Sequence, residues 1–272
     1  MTTSLTTPES DAAPSAVRLH RIEQGTRSRR AAPHVPKILI HGYSDSSYSF
    51  SPILPLLPAA WHMIAVDLRG HGESPRPDRG YRIDDLAADV GALAESLGAS
   101  QVDLVGHSLG TLVARRVAVT RPRLVRRMVL LGAIGTPTNT LMRELRDEVS
   151  AQPDPVTDEF ARDFQVSTVY DVLPADFLDT VVGISRGMPG FVWRQVSDTL
   201  VHHDDSNDLA SIQAPTLLIW GERDAFFGRD EQDALVAAMP NAQLTTLQDT
   251  GHASHWERPQ EVARLLREYL GD

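Results

Sequence analysis

Residues 102–116 read VDLVGHSLGTLVARR, an apolar run that ends in Gly-His-Ser-Leu-Gly and passes into a helical pattern. Glycine weakens either kind of element, so two of them around one polar residue mark a strained turn between strand and helix. Such a turn lifts the Ser108 hydroxyl clear of the backbone, and the helix opening at Leu109 favours negative charge beside it. A serine hydroxyl attacks only with the help of a base, and the base needs a carboxylate to orient it. Sites built on this kind of elbow carry them in the chain order serine, acid, histidine. GERDAFFG follows the apolar run 215–220 and places Asp224 in the loop after it; DTGHASHWERP follows 243–248 and places His252 directly after Gly251. Each stands just past the end of an expected strand, so all three can meet at one sheet edge. The competing acids are Glu222, closer to its strand, and Asp249, ahead of the histidine turn. His255 reads as the start of the last helix or a solvent-facing residue, and His107 points away from Ser108 in any such elbow.

Acyl chemistry also needs two backbone N–H groups aimed at the developing oxyanion. One is expected from Leu109, the residue after the nucleophile. The other is expected from the loop HGYSDSSYSF after the 37–41 strand, with Tyr43 as donor and Ser44 as second choice, and with His41 holding the loop. HGYSDSS (41–47), VDLRGHGES (66–74), GHSLG (106–110), WGERDAF (220–226) and GHASHWERP (251–259) together resemble the α/β-hydrolase superfamily, above all its small, lid-bearing members. The resemblance runs from 16 to 270 and implies an α/β fold, a mainly parallel sheet flanked by helices with an inserted helical lid. It also implies that Asp67, Arg69 and His71 are structural. Many relatives carry Gly or Pro just after the HG pair, where this chain has Tyr43 and Ser44. Relatives that open epoxides or remove halogens use an aspartate, whose ester water can cleave; a serine there would form an ether. Ser108 therefore points to acyl transfer. Carboxylic esters and lactones come first, with a C–C hydrolase, a perhydrolase or a ligand receptor retaining the triad as alternatives.

The elements that must position these residues follow from periodicity. Short buried strands are expected at 37–41, 62–67, 102–106, 128–132, 215–220 and 243–248, with an extended pair in 16–30 broken by Gly25. Helices fit 50–58, 83–98, 109–120, 229–239 and 257–269. Between Gly132 and Pro215 the alternation stops. Helical segments are expected at 154–164, capped by Asp154 with Pro155 first, and at 173–187 and 190–202. The organisation is then a disordered leader (1–15), a core (16–135 and 211–272) and a helical lid (136–210). The lid carries Phe160, Phe164, Tyr170, Phe177, Phe191 and Trp193, and the acid loop adds Phe226 and Phe227. Ser44, Phe191, Trp193 and Phe227 are the expected substrate-binding residues, for a small apolar ester or lactone.

Composition sets the outer bounds. The 272 residues are 42% hydrophobic, enough for a full core, and the net charge of −10 argues against nucleic acid or an anionic membrane as partner. Arginines 115, 116, 121, 123, 126 and 127 are expected to be solvated at a helix end and in the loop after it. No cysteine is present, which excludes disulfides and a thiol nucleophile. HHDDSND (202–208) imitates a metal site, but adjacent ligands rarely converge on one ion, and a turn with a helix cap is expected there. No metal or cofactor is expected. The N-terminal stretch lacks a basic start and apolar core, no apolar run suffices to span a membrane, and a cytoplasmic protein is expected. Oligomeric state is not written in these features.

Overall fold

The computed structural model describes residues 15–25, 35–135 and 139–271. Its strands are β1 (Arg21–Gln24), β2 (Lys37–Ile40), β3 (Met63–Val66), β4 (Val102–His107), β5 (Val125–Leu131), β6 (Thr216–Gly221) and β7 (Ala242–Leu247). They form one sheet in the order β1-β3-β2-β4-β5-β6-β7, with β1 antiparallel and the rest parallel. The pleat sorts each strand between two apolar layers. Ile38 and Ile40 of β2 face one cluster, which holds helices α1 (Ile83–Ser96) and α2 (Leu109–Thr120), while Leu39 faces the other. That second layer is closed by α9 (Pro259–Leu270), whose Val262, Ala263, Leu265, Leu266 and Leu270 make a buried stripe at helical spacing. After β2 the chain crosses to β3 on one side, then returns to β4 on the other. The carboxyl ends of β2 and β4 therefore flank the switch point at which open α/β sheets bind ligands.

Four helices stand between β5 and β6: α3 (Thr140–Ala151), α4 (Asp158–Ser167), α5 (Ala175–Arg186) and α6 (Gly190–His202). Helix α7 (Arg229–Ala238) follows β6, and the short α8 (Ser254–Glu257) precedes α9. The sequence pattern had not singled out α3. Helix α4 starts at Asp158, capped by Thr157 Oγ1 on Phe160 N–H at 3.2 Å, whereas Asp154 accepts from Gly190 N–H at 2.9 Å. The helix expected over 50–58 is replaced by two 3-10 turns, Ser47–Phe50 and Leu54–Leu56, because Pro52, Pro55 and Pro58 remove the donors an α-helix needs. Of the extended pair expected in 16–30, β1 is present; residues 26–34, and 1–14 of the expected leader, lie outside the described residues.

The expected solvated arginine run is corrected by the structure. Arg115 is fully buried and grips Asp205 through Nε and Nη2 at 2.7 and 3.1 Å, with Nη1 donating to Ile134 O at 2.7 Å. Arg116 pairs with Asp84 and Asp208, Arg121 with Glu95, and Arg126 with Asp103. Arg127 Nη1 donates to the Tyr269 and Gly271 carbonyls. Arg115 and Arg116 on α2, Arg121 at its end, and Arg126 and Arg127 on β5 reach partners in other elements that the run itself does not reveal, while Arg123 is exposed as expected. The same pairs explain HHDDSND: Asp205 and Asp208 neutralise arginines, and Asp204 accepts from Ser206 N–H at 2.9 Å.

Candidate active site

Ser108 sits between β4 and α2 with φ 50° and ψ −118°, a conformation that side chains other than glycine rarely adopt. The two flanking glycines are there for space. A Cβ on Gly106 would strike the Gly110 carbonyl, and one on Gly110 would strike the Ile40 carbonyl of β2. Helix, strand and neighbouring strand can approach this closely only without those methyl groups. Gly42 serves the adjoining loop: its Cβ would lie 3.2 Å from Ser108 Cβ and 2.9 Å from His107 Nδ1.

Asp224 and His252 meet as expected. His252 Nδ1 lies 2.8 Å from Asp224 Oδ2, and both side chains are buried. Asp224 Oδ1 accepts from the Phe226 and Phe227 N–H groups at 2.8 and 3.1 Å, which fixes the carboxyl plane. The rings of Phe226 and Phe227 flank the imidazole, with centroids 5.2 and 5.7 Å away. Glu222 and Asp249 lie instead on the surface, both beside Arg223. Ser108 and His252 line one cleft together with Gly42, Tyr43 and Asp45. Among the described residues, neither the Tyr43 nor the Leu109 N–H is taken up by the loop and cap hydrogen bonds.

His41 holds the loop, and its tautomer is readable. Leu68 N–H donates to Nε2 at 3.0 Å, so the proton is on Nδ1, which donates to Gly42 O at 2.7 Å. Asp67 ties Ser47 N–H, Glu73 N–H and His20 into the strand end, and Arg69 grips Asp89 at 2.6 and 2.7 Å, both fully buried. His255 is corrected. It is buried in α8, with Nε2 2.9 Å from Ser49 Oγ, rather than facing solvent. The His107 ring lies between His252 and His255, at centroid distances of 5.1 and 4.5 Å. Burial pushes the pKa of His107 well down and that of His255 down to about 3, so both are neutral packing groups.

The expected substrate contacts divide. Phe227 lines the cleft. Trp193 is fully buried behind it, edge-on to Tyr43, Phe160 and Phe164, with Nε1 donating to Ser185 O at 3.2 Å. Phe191 packs against Tyr81. Ser44, at φ 60°, spends its hydroxyl on Ser185 Oγ at 2.6 Å and accepts from Gln165 Nε2 at 3.2 Å, which ties the HG loop to α4 and α5. In place of Phe191, Trp193 and Ser44, the apolar wall is built by Ile134, Met142, Leu145, Phe164, Leu200 and Trp256. Sequence reading also left Glu257 unassigned. Its carboxylate accepts from Gly251 N–H on one oxygen, and from Tyr170 and Asp171 N–H on the other, at 2.8, 3.0 and 2.8 Å. It therefore clamps the His252 loop to the inserted helices.

Such an arrangement can polarise a serine hydroxyl, hold an imidazole in one orientation and exclude water from a small apolar molecule. The comparisons with known proteins agree with the architecture. The alpha/beta hydrolase family matches residues 38–265. The chain is 31% identical over 244 residues to the pyrrolizixenacetamide deacetylase of Xenorhabdus hominickii, covering 86% of this chain and 90% of that one. It is 29% identical over 258 residues to a 2-hydroxy-6-oxononadienedioate/2-hydroxy-6-oxononatrienedioate hydrolase of Pseudomonas putida, covering 86% of both. An esterase structure from Exiguobacterium antarcticum superposes with a TM-score of 0.82 at 19% identity, over 93% of this chain and 95% of that one, a likeness of fold. The elbow at Ser108, the sheet order and the family match agree, and the chain belongs to the alpha/beta hydrolase family.

Proposed function

We propose that the protein is a serine hydrolase that cleaves carboxylic esters or lactones of small, mainly apolar molecules through an acyl-enzyme. Ser108 is the nucleophile, His252 the base and then the acid, and Asp224 the group that orients His252. The Tyr43 and Leu109 N–H groups stabilise the oxyanion. The observation that carries this reading is Ser108, strained at the mouth of α2 in the same cleft as an imidazole that Asp224 holds at 2.8 Å. In the first step Ser108 Oγ bonds to the acyl carbon while its proton passes to His252. The imidazolium then protonates the departing alkoxide, and a water repeats the sequence to release the acid.

The relative from Pseudomonas putida is named for a dioate, a substrate with two carboxylates. Among the described residues no lysine or arginine lines the cleft, and Asp45 does, so a dianion would meet no countercharge from them. That favours esters and lactones over such a C–C substrate. The test is turnover by the purified protein of a panel of aryl esters, lactones and diketones, with labelling by a fluorophosphonate. Ester or lactone turnover with the label on Ser108, and loss of both in Ser108→Ala, is expected. Diketone cleavage alone, or wild-type ester turnover in Ser108→Ala, would sink the reading.

A further inference from the structure

Asp45 carries an acidic oxygen in the wall of the cleft that neither the fold nor the chemistry above uses. Asp45 stands two residues past Tyr43, is 2% exposed, and lines the same cavity as Ser108 and His252. Its Oδ1 accepts from Ser46 N–H at 2.8 Å. Its Oδ2 is buried with no hydrogen-bond partner among the described residues. An unpaired buried acceptor is costly, and the nearest relief is a ligand atom arriving through the cavity. Burial pushes the Asp45 carboxyl up to about 7, so both protonation forms are populated near neutral pH.

We propose that Asp45 is a specificity-determining residue whose free Oδ2 binds a hydroxyl group on the substrate, in addition to the acyl bond presented to Ser108. The inference rests on the cleft being the substrate site, as above, and narrows the substrate class to hydroxyl-bearing esters or lactones. A hydroxyl suits an acid of either charge, because it donates to the carboxylate and accepts from the carboxylic acid. A substrate carboxylate would be repelled whenever Asp45 is ionised. An ammonium brings three donors and a full charge to a wall whose other polar side chains, Gln165 and Thr168 among them, are neutral, so no second carboxylate helps to offset its desolvation. A wholly apolar chain would leave Oδ2 unpaired in the complex, with its last access to water closed.

The experiment compares aryl esters of straight-chain acids with the same esters carrying one hydroxyl at each successive carbon. The quantity read is the kcat/KM ratio of each hydroxy ester to its unsubstituted partner, in wild type, Asp45→Asn and Asp45→Leu. The same ratio of affinities is measured by calorimetry on Ser108→Ala with intact esters, so Asp45 is tested even if no ester turns over. At one or two hydroxyl positions the wild-type ratio is expected to exceed that of Asp45→Leu at least tenfold. Asp45→Asn, which keeps the shape and the contact with Ser46, is expected to lower it at least threefold, and it decides the matter if the leucine variant does not fold. Equal ratios in wild type and variants at every position, by kinetics and by calorimetry, overturn the proposal. Lack of turnover with an intact binding ratio overturns the hydrolase reading alone.

Discussion

At the scale of single residues, the imidazole of His252 is useful only in one orientation. Asp224 supplies that orientation through one oxygen, while Phe226 and Phe227 N–H hold the other. With the Phe226 and Phe227 N–H groups holding the oxygen, an amide in place of the carboxylate would turn its NH2 to Nδ1 and favour the tautomer that cannot take the proton in the proposed mechanism. Asp224→Asn is therefore expected to lower kcat by roughly four orders of magnitude, as in other triads, with the protein still folded. Glu222→Gln and Asp249→Asn touch only Arg223 at the surface and should change kcat less than about threefold, since exposed pairs contribute little. Steady-state kinetics on the three variants decides the assignment. A larger loss from Glu222→Gln or Asp249→Asn would move the acid to that residue.

At the scale of elements, the site's frame was legible because its signals are local. Two glycines around Ser108 announce a close approach that the Ile40 and Gly110 carbonyls make real, Asp224 follows the apolar run of β6, and His252 follows β7, a half-buried strand in which polar residues interrupt the leucines. Three of the inserted helices, α4, α5 and α6, were legible as helices but not as surfaces, and α3 was not singled out. Phe191 and Trp193 lie on α6 two residues apart, and nothing local says that one faces Tyr81 and the other the back of Tyr43. Phe164 and Trp256 reach the cleft from α4 and α8 by tertiary placement, as do the buried His255 and Arg115 to their partners. The placement has a kinetic consequence. Phe227→Ala should change the kcat/KM ratio of a bulky to a small ester at least fivefold, because its ring meets both the cleft and His252. Phe191→Ala should leave that ratio within about twofold. Trp193→Ala should cost about 3–5 kcal/mol of stability, read by urea denaturation, as expected for emptying a fully buried aromatic site. If Phe191→Ala shifts the ratio as much as Phe227→Ala, the cleft extends along α6.

At the scale of the whole molecule, the apolar packing around the switch point leaves histidines uncharged in the folded state. Burial, with charge on neighbouring rings, lowers the pKa of His71 and His255 to about 3 and that of His107 well below the usual histidine range. Burial lowers that of His41 too. Below pH ~6.5 the unfolded chain binds a proton at His71, His107 and His255 that the folded chain does not, so they make stability fall as pH falls, and His41 acts in the same direction. Asp45 acts in the opposite sense. Its folded carboxyl is raised to about 7, so between that value and the unfolded carboxyl range the folded state holds one extra proton. His71, His107 and His255 outnumber it, leaving the unfolded state ahead by about one to two protons between pH 6 and 5. Stability should then drop by about 2 kcal/mol per pH unit, a large share of the roughly 5–15 kcal/mol of a typical domain. Urea midpoints at half-unit pH steps, with the slope m held constant, measure the fall. Asp45→Asn removes this opposing proton and should steepen it by about 1.4 kcal/mol per pH unit. Stability that stays level from pH 7 to 5 would mean that these rings take up protons in the folded protein, and that water reaches the layer beneath Ser108.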